Sequence, residues 1–334
     1  MNLPNDELTL AWRSLAAFGE TDEGWRGINV SPAGVTLVRA GLRFPGGLEA
    51  ILIRFSISSL PMITKLPEGG GFFIERASVE DNVAWIALTR RELANLDLFT
   101  AMASDIVTAL SSCPASDERK ALSILLGRVK AWQEFMRKGG EPLSSEAEIG
   151  LFGELVLLRA ILDEKIDAAI ACEAWHGPMD GLRDFELGTG GLEVKSTLSS
   201  VGFPARIGRL EQLDDTDRQP LFLAAIRLSQ THTGASLPEV VEITRDIVAG
   251  DMEAERLLAE RLVACGYQDS HSGHYSRRFN VVEIRIFRVG EKFPRLTPYS
   301  VPSGVKQATY EIDIDQATAE MVDLSNALVE LKVI

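Results

Sequence analysis

Residues 181–197 read GLRDFELGTGGLEVKST, so that polar and apolar side chains alternate on both sides of a glycine-rich centre. Alternation with a period of two around glycines is typical of a β-hairpin. A two-residue turn at Thr189-Gly190 would place Leu187 opposite Leu192 and fix the register of both strands. The segment therefore predicts a hairpin whose two faces differ in polarity.

Cross-strand partners share one face of a sheet, so this register collects the charged side chains on one side. They are Asp184, Glu186, Glu193 and Lys195. The opposite face carries Phe185, Leu187, Leu192 and Val194. A slip of one residue would mix the two faces, so the register and the chemistry of the hairpin depend on each other.

Three carboxylates at close range raise one another's pKa values or recruit a cation, and one lysine does not neutralise them. Hard carboxylate oxygens favour Mg²⁺ or Mn²⁺ over Zn²⁺. The pattern predicts that Asp184 and Glu193 bind the ion together with the carbonyl oxygen of Val194. Lys195 would help to deprotonate a water molecule or stabilise charge developing on phosphorus. A solvent-facing hairpin with ordinary cross-strand charges also explains these residues.

The chain has 334 residues, 46% of them hydrophobic, and a formal net charge of −14. Its length suggests two domains or one large core with an elaborated end. The hydrophobic fraction excludes a globally disordered chain. The acidic balance argues against a protein that binds nucleic acid through charge alone, although an enzyme with one local basic channel is compatible with it.

Three widely spaced cysteines, at 113, 172 and 265, form neither a disulfide framework nor a Cys-x-x-Cys metal pair. The first ten residues lack the basic and apolar regions of a signal peptide. The apolar run 221–226 is far shorter than the roughly 18 residues that cross a bilayer. We therefore expect a cytoplasmic protein without a membrane partner.

Residues 1–95 are predicted to form a β-rich N-terminal domain, because short apolar or β-branched runs alternate there with Gly and Pro. Its strands are expected at 34–38, 50–57, 71–75 and 84–88. Apolar residues then recur at helical spacing over 96–110 and 116–137, so residues 96–143 are predicted to be connecting helices. A Gly-Gly pair and a proline mark a boundary at 138–143.

Residues 144–334 form the last predicted domain. Ser144 or Ser145 begins an unusually apolar helix that ends near Asp163, and Glu148 completes a capping box if Ser145 is the cap. Glu154 is the acidic residue in the middle of this helix. A buried strand, a long helix, two strands and a C-terminal helix are expected to follow, the first four at 221–228, 238–265, 279–289 and 309–314.

An aspartate on one strand and Glu193-Val194-Lys195 on the next resemble the core of the PD-(D/E)XK nuclease superfamily. The helix containing Gly150–Leu155, with its acidic residue, is similar to the first core helix of that superfamily. More closely, the chain resembles a bacterial family called "putative PD-(D/E)XK family members", often encoded in phage-defence clusters. Phe293–Leu296 and Tyr310–Asp313 fit this family too. The likeness covers most of the chain and is specific from about residue 144 to 230.

The resemblance implies a restriction-endonuclease-like core of the α+β or α/β class, a mixed sheet flanked by helices, preceded by the β-rich N-terminal domain. It implies a DNA endonuclease of bacterial defence that depends on Mg²⁺ or Mn²⁺. The implied catalytic residues are Asp184, Glu193, Lys195 and Glu154, and the implied metal ligands are Asp184, Glu193 and Val194. Its expected partners are DNA, a helicase, ATPase or methyltransferase of the same cluster, and a second copy of the chain. The alternative is a non-catalytic subunit that keeps the fold and binds DNA or a partner.

The chain departs from the superfamily pattern at one position. The aspartate of that pattern often follows a proline, whereas Arg183 precedes Asp184 here. The nearby Pro178-Met179-Asp180 makes Asp180 a rival for the first metal ligand. Asp184 is preferred, because Asp180 lies beyond the break at Gly181.

Two arginines and a glutamine downstream of the hairpin are candidate nucleic-acid contacts. Arg206 and Arg209 are spaced to contact successive phosphates, and Gln212 is expected to lie near the site. An ordinary strand-to-helix connection explains the three residues almost equally well.

Overall fold

The computed structural model of the chain describes residues 4–19, 23–33, 35–56, 68–79, 83–179 and 181–334. The chain forms two compact units, Met1–Gly140 and Glu141–Ile334. None of the helices within the described ranges combines the length and the apolar surface that a bilayer-spanning segment needs.

The described part of the first unit consists of a five-stranded antiparallel sheet and three helices. In chain order they are α1 Pro4–Ala16, β1 Gly24–Asn29, β2 Val38–Phe44, β3 Leu48–Phe55, β4 Phe72–Ala77, β5 Ala84–Arg90, α2 Leu96–Ser111 and α3 Glu118–Arg137. The strands lie side by side in the order β1-β2-β3-β5-β4.

Three of the four strands predicted in this unit are confirmed as β3, β4 and β5. The strand predicted at 34–38 is wrong, because β2 begins only at Val38. The sequence pattern also missed α1 and β1. β1 is short, contains two glycines and is partly exposed, so it lacks the apolar alternation that identifies a strand, and its pairing with β2 supplies its order instead.

The two helices predicted next in the chain are confirmed as α2 and α3, and the side chains of Asn95 and Asp117 cap their N-termini. Both helices belong to the first compact unit, whereas the sequence pattern placed them in a connecting segment. α1 joins them to the sheet. Trp12 packs on Phe99 with ring centroids 5.8 Å apart and donates its indole N–H to the carbonyl oxygen of Ala50 at 2.9 Å.

The second unit contains a mixed five-stranded sheet, a two-stranded sheet and further helices. In chain order its elements are α4 Ser145–Asp163, α5 Ala168–Ala174, β6 Phe185–Leu187, β7 Gly190–Thr197, β8 Pro204–Ile207, β9 Leu221–Ser236, α6 Leu237–Val248, α7 Met252–Cys265, β10 Arg278–Val289, β11 Tyr310–Asp313, β12 Met321–Val322 and α8 Leu324–Glu330. The main sheet has the order β12-β10-β9-β7-β6, in which β7 and β9 are parallel, and β8 pairs with β11.

The main sheet of this unit has an apolar core on each face. Side chains of α4 to α8 pack on one face, against Phe185, Leu192, Val194, Phe222 and Ile226. β8 and β11 cover part of the other face, where the core includes Leu221, Leu223, Ala225 and Phe287. Alternate residues of β9 thus enter different cores, which explains its continuous apolar run. The predicted mixed α/β class is confirmed.

The single helix predicted over 238–265 is wrong, because α6 ends at Val248 and α7 begins at Met252. Gly250 has a φ of 95°, in the left-handed region that favours glycine. Asp251 then caps α7 by accepting two backbone N–H groups. A local turn and a new cap therefore interrupt what reads as one helical pattern.

Ser144, one of the two predicted caps, begins α4 by accepting the N–H of Ala147 at 3.2 Å. Glu148 does not complete a capping box with Ser145. Its carboxylate instead accepts a hydrogen bond from Arg277 at 2.8 Å, from a part of the chain that the local pattern could not indicate.

α4 comes close to β7 at Gly153. A Cβ at this position would collide with the Oγ of Ser196, whereas a Cβ at Gly150 on the same helix would meet nothing within 4 Å. The contact matters because Glu154 is the next residue of α4, so the packing at Gly153 sets how near Glu154 comes to the sheet.

We expect Gly153→Ala to lower the free energy of unfolding by about 1–3 kcal/mol, because the added methyl group overpacks the contact with Ser196. Adding Ser196→Ala should recover part of the loss. The matched control, Gly150→Ala, should leave stability unchanged or raise it by up to about 1 kcal/mol, because alanine favours a helix. Urea unfolding of the four proteins measures this, and equal stability of the two single glycine variants would contradict the packing argument.

Candidate functional site

The hairpin predicted from residues 181–197 is formed by β6 and β7, but in a different register. Phe185 pairs with Leu192, so the turn is Gly188-Thr189 and the predicted register is wrong by two residues. Gly190 belongs to the strand, where a Cβ would collide with the carbonyl oxygen of Pro220. Glycine is therefore needed at this strand position by a neighbouring segment and not by the turn.

A shift of two residues preserves the alternation, so the predicted faces of the hairpin persist. The four apolar side chains lie in the core under the helices. Glu193 and Lys195 point to the opposite face. Glu186 is on this face too, and its carboxylate binds Arg218 at 2.6 Å. Glu186 thus keeps its predicted face, but it is not among the charges that act most strongly on Asp184.

Asp184 lies immediately before β6 and is held at both its backbone and its side chain. Its carbonyl oxygen accepts the N–H groups of His176 and Gly177 at 2.8 and 3.0 Å. Its Oδ2 accepts the N–H of Val194 at 2.7 Å. These bonds fix the carboxylate against the middle of β7.

Glu154 of α4 is the third carboxylate of the site, next to Asp184. Its Oε2 accepts the indole N–H of Trp175 at 2.7 Å. A Cβ on Gly177 would lie 2.7 Å from Oδ1 of Asp184 and 3.1 Å from Oε2 of Glu154. Both carboxylates thus border Gly177, and the lack of a side chain there lets them approach.

Glu193 is the most deeply buried acid of the site, with an exposed fraction of 1%. Its Oε1 accepts hydrogen bonds from Nζ of Lys195 at 2.7 Å and from Nε2 of Gln212 at 2.8 Å. The amide oxygen of Gln212 in turn accepts the N–H of Gly208 at 2.7 Å. Two donors therefore share one oxygen of Glu193.

Burial raises the pKa of Asp184 well above its ordinary value, and the carboxylates of Glu193 and Glu154 raise it further. Lys195 and the Val194 N–H favour the ionised form without offsetting these effects. Burial lowers the pKa of Lys195, but the neighbouring carboxylates, Glu193 first, outweigh burial and raise it. The side chains thus form one electrostatic cluster in which the lysine stays protonated.

The oxygens around Asp184 and Glu193 fit a hard divalent cation. Oε2 of Glu193 is buried and has no hydrogen-bond partner in the described chain. The carbonyl of Val194 is expected to point toward Asp184, because the N–H and C=O of one strand residue face the same side. The described residues contain no group of three or more His, Cys, Asp or Glu side chains arranged to hold a metal. Mg²⁺ does not require one, since it keeps several waters and binds through one or two carboxylates.

The candidate nucleic-acid contacts lie in different surroundings. Arg206 is exposed on β8, opposite Glu311 of β11, and Arg209 is exposed just before a short 3-10 turn, Leu210–Leu213. Their contact with phosphates stays a prediction. Gln212, in contrast, commits its amide to Glu193 and Gly208. Asp180, the rival metal ligand, lies outside the described residues.

Sequence reasoning missed Trp175 and Gly177. A buried indole N–H needs an acceptor, so a tryptophan between α5 and the hairpin is a signal for a nearby carboxylate. The glycine is recognisable only when the two carboxylates beside it are known.

Residues 8–315 of the chain match the model of the family DUF4420, which is described as "Putative PD-(D/E)XK family member". No curated protein and no solved structure matches the chain.

We expect Asp184→Asn to make the metal-free protein more stable at neutral and alkaline pH. Because the pKa of Asp184 is raised in the folded protein, the folded state holds its proton more tightly than the unfolded chain, and stability falls as pH rises above the unfolded pKa. The amide does not ionise and still offers an oxygen to the Val194 N–H. Urea unfolding in chelator from about pH 5 to about pH 8 should show a growing advantage of the variant. A difference that does not change with pH would contradict the expectation.

Proposed function

The chain belongs to the family described as "Putative PD-(D/E)XK family member", and from this premise we propose that it is a metal-dependent nuclease. The proposed catalytic residues are Asp184, Glu193, Lys195 and Glu154. The observation that carries the proposal is the convergence of three carboxylates and one lysine at β7, where Asp184 has a strongly raised pKa and Glu193 is buried. Such a concentration of acidic groups is unfavourable for folding and is typical of a functional site.

Asp184, Glu193 and the carbonyl of Val194 would hold Mg²⁺ or Mn²⁺. The bound cation supplies Lewis acidity and makes a water molecule a stronger nucleophile at neutral pH. The chain's own part is to present oxygen ligands in a fixed arrangement, through the Val194 N–H on Asp184 and the donors on Glu193. Glu154, oriented by Trp175, adds negative charge beside Asp184.

Lys195 is proposed to stabilise the negative charge that develops on a phosphate during cleavage. Its Nζ lies 2.7 Å from Oε1 of Glu193. The Lys195 side chain is 16% exposed, so a substrate can reach it. A fixed cation close to a developing oxyanion contributes more in a partly buried site than in water.

DNA is the proposed substrate, and the distribution of charge indicates how it would be held. Residues 141–334 contain 19 Lys and Arg against 32 Asp and Glu, whereas residues 1–140 contain 15 against 16. Beyond Arg206 and Arg209, the acidic second unit thus offers little to a polyanion. We therefore propose that the first unit, a helicase, ATPase or methyltransferase of a defence cluster, or a second copy of the chain helps to present the DNA.

One observation favours the alternative, a non-catalytic DNA- or partner-binding subunit. Lys195 and Gln212 both donate to Oε1 of Glu193, so this oxygen is already engaged. A retained fold with a closed site would show this arrangement too. Metal binding separates the two functions.

We expect the chelator-treated protein to bind Mn²⁺ in isothermal titration calorimetry, and Asp184→Asn and Glu193→Gln to lose most of the binding, because each removes one charged ligand. Glu186→Gln is the matched control. It changes a carboxylate of the same hairpin that faces Arg218, and it should bind Mn²⁺ as the wild type does. No binding by the wild type at millimolar Mn²⁺ with duplex DNA present would support the non-catalytic subunit.

We expect Lys195→Ala to reduce DNA cleavage by about 10²–10³-fold, as loss of a charge-stabilising donor does. It should retain Mn²⁺ binding, because the proposed oxygen ligands remain and Gln212 still donates to Oε1 of Glu193. Glu193→Ala should lose both DNA cleavage and Mn²⁺ binding. Cleavage that neither substitution changes, measured on a DNA that the wild type cuts, would refute the assignment of the site.

A further inference from the structure

We call residues 208–215 the Gln212 segment. This segment lies beside Glu193 and is hydrogen-bonded to two arginines. Nη1 of Arg295 donates to the carbonyl oxygen of Leu213 at 2.6 Å and to Oδ1 of Asp215 at 2.9 Å. Nη2 of Arg183 donates to the carbonyl oxygen of Asp214. Two adjacent carbonyl oxygens of the segment therefore each accept a hydrogen bond from an arginine.

Both arginines are largely enclosed by the protein. The exposed fraction of Arg183 is 7%, and that of the Arg295 side chain is 14%. A buried guanidinium must have its donors satisfied, so these contacts strongly constrain the Gln212 segment. The segment needs such support, because one 3-10 turn has little stability of its own.

The other end of the Gln212 segment and the loop that carries Arg295 are both attached to β11. Thr309, just before β11, donates its hydroxyl to the carbonyl oxygen of Gly208 at 3.3 Å. The hydroxyl of Tyr310 accepts the N–H of Leu296 at 2.9 Å and donates to its carbonyl oxygen at 3.2 Å. The position of Arg295 is thus fixed relative to the segment it binds.

We propose that Arg295 and Arg183 are positioning residues that act through Gln212 on Glu193. They hold the Gln212 segment so that its amide, together with Lys195, engages Oε1 of Glu193. The carboxylate is then fixed in rotation, and its unpartnered Oε2 is the oxygen offered to the cation. This inference rests on the proposed function, because it assigns a purpose to the orientation of a metal ligand.

The test uses Arg295, because Arg183 adjoins Asp184 and its replacement would disturb the site directly. We expect Arg295→Ala to weaken Mn²⁺ binding of the full chain by about 10–100-fold, the usual effect of losing a group that orients a metal ligand. Gln212→Ala should have a similar effect. Arg295→Lys should restore most of the affinity, because both bonds come from one nitrogen and an ammonium has three donors.

The double variant decides whether Arg295 acts through Gln212. If it does, Arg295→Ala should have little further effect on the Mn²⁺ affinity of Gln212→Ala. Amide exchange measured by mass spectrometry on the metal-free protein should also become faster in peptides covering 208–215 when Arg295 is replaced. Additive losses of affinity, or unchanged exchange of these peptides, would overturn the inference.

Arg256→Ala is the control for a general loss of stability. Arg256 of α7 has a side-chain exposure of 17%, close to that of Arg295, and pairs with Glu253 and Glu260. Its replacement should lower the melting temperature and leave Mn²⁺ affinity unchanged. Wild-type protein that binds no Mn²⁺ would refute the proposed function itself. Wild-type protein that binds Mn²⁺ no better than Arg295→Ala would overturn this inference alone.

Discussion

The arrangement around β7 follows from the burial of one carboxylate, that of Glu193. A buried carboxylate without partners is unfavourable by several kcal/mol, so donors must surround it. Lys195 and Gln212 donate to its Oε1, and the buried guanidinium of Arg183 is close enough to interact with it electrostatically. These donors come from separate segments of the chain, so the site forms only when the hairpin and the Gln212 segment are both in place.

The same strand builds the core and the site. Leu192 and Val194 of β7 enter the core under the helices, while Glu193 and Lys195 face the other side of the sheet. Because side chains alternate along a strand, a change that shifts β7 by one residue would place the charged pair in the core under the helices and the apolar pair on the face of the site. The packing of Leu192 and Val194 in the core therefore fixes the direction of the charged side chains. A change in the register of β7 would disrupt the site.

This alternation is also why much of the site could be predicted. The faces of a strand and the apolar stripe of an amphipathic helix are local properties of the sequence. The predicted faces of the hairpin were therefore correct even though its predicted register was wrong by two residues. The register itself depends on Gly190, which must accommodate the carbonyl of Pro220 from another segment. In the same way, Arg218 binds Glu186, and the packing of α4 brings Glu154 next to Asp184. The approach of Glu154 to Asp184 thus depends on tertiary contacts, which the spacing of residues in the sequence does not show.

Many arginines of the second unit are engaged in ion pairs within the unit. Ion pairs with Asp or Glu engage Arg218, Arg227, Arg245, Arg256, Arg277, Arg278, Arg285, Arg288 and Arg295. An arginine committed to an internal carboxylate adds little to the attraction of a phosphate backbone, because its field is already compensated. Arg206, in contrast, is exposed and makes no ion pair with any described residue. If the chain acts on DNA as proposed, these paired arginines would attract it little, and a cation bound between Asp184 and Glu193 would add positive charge beside Lys195. Under the proposed function, the metal would then help to hold the substrate as well as activate water, and the affinity of the chain for DNA would increase when the metal is bound.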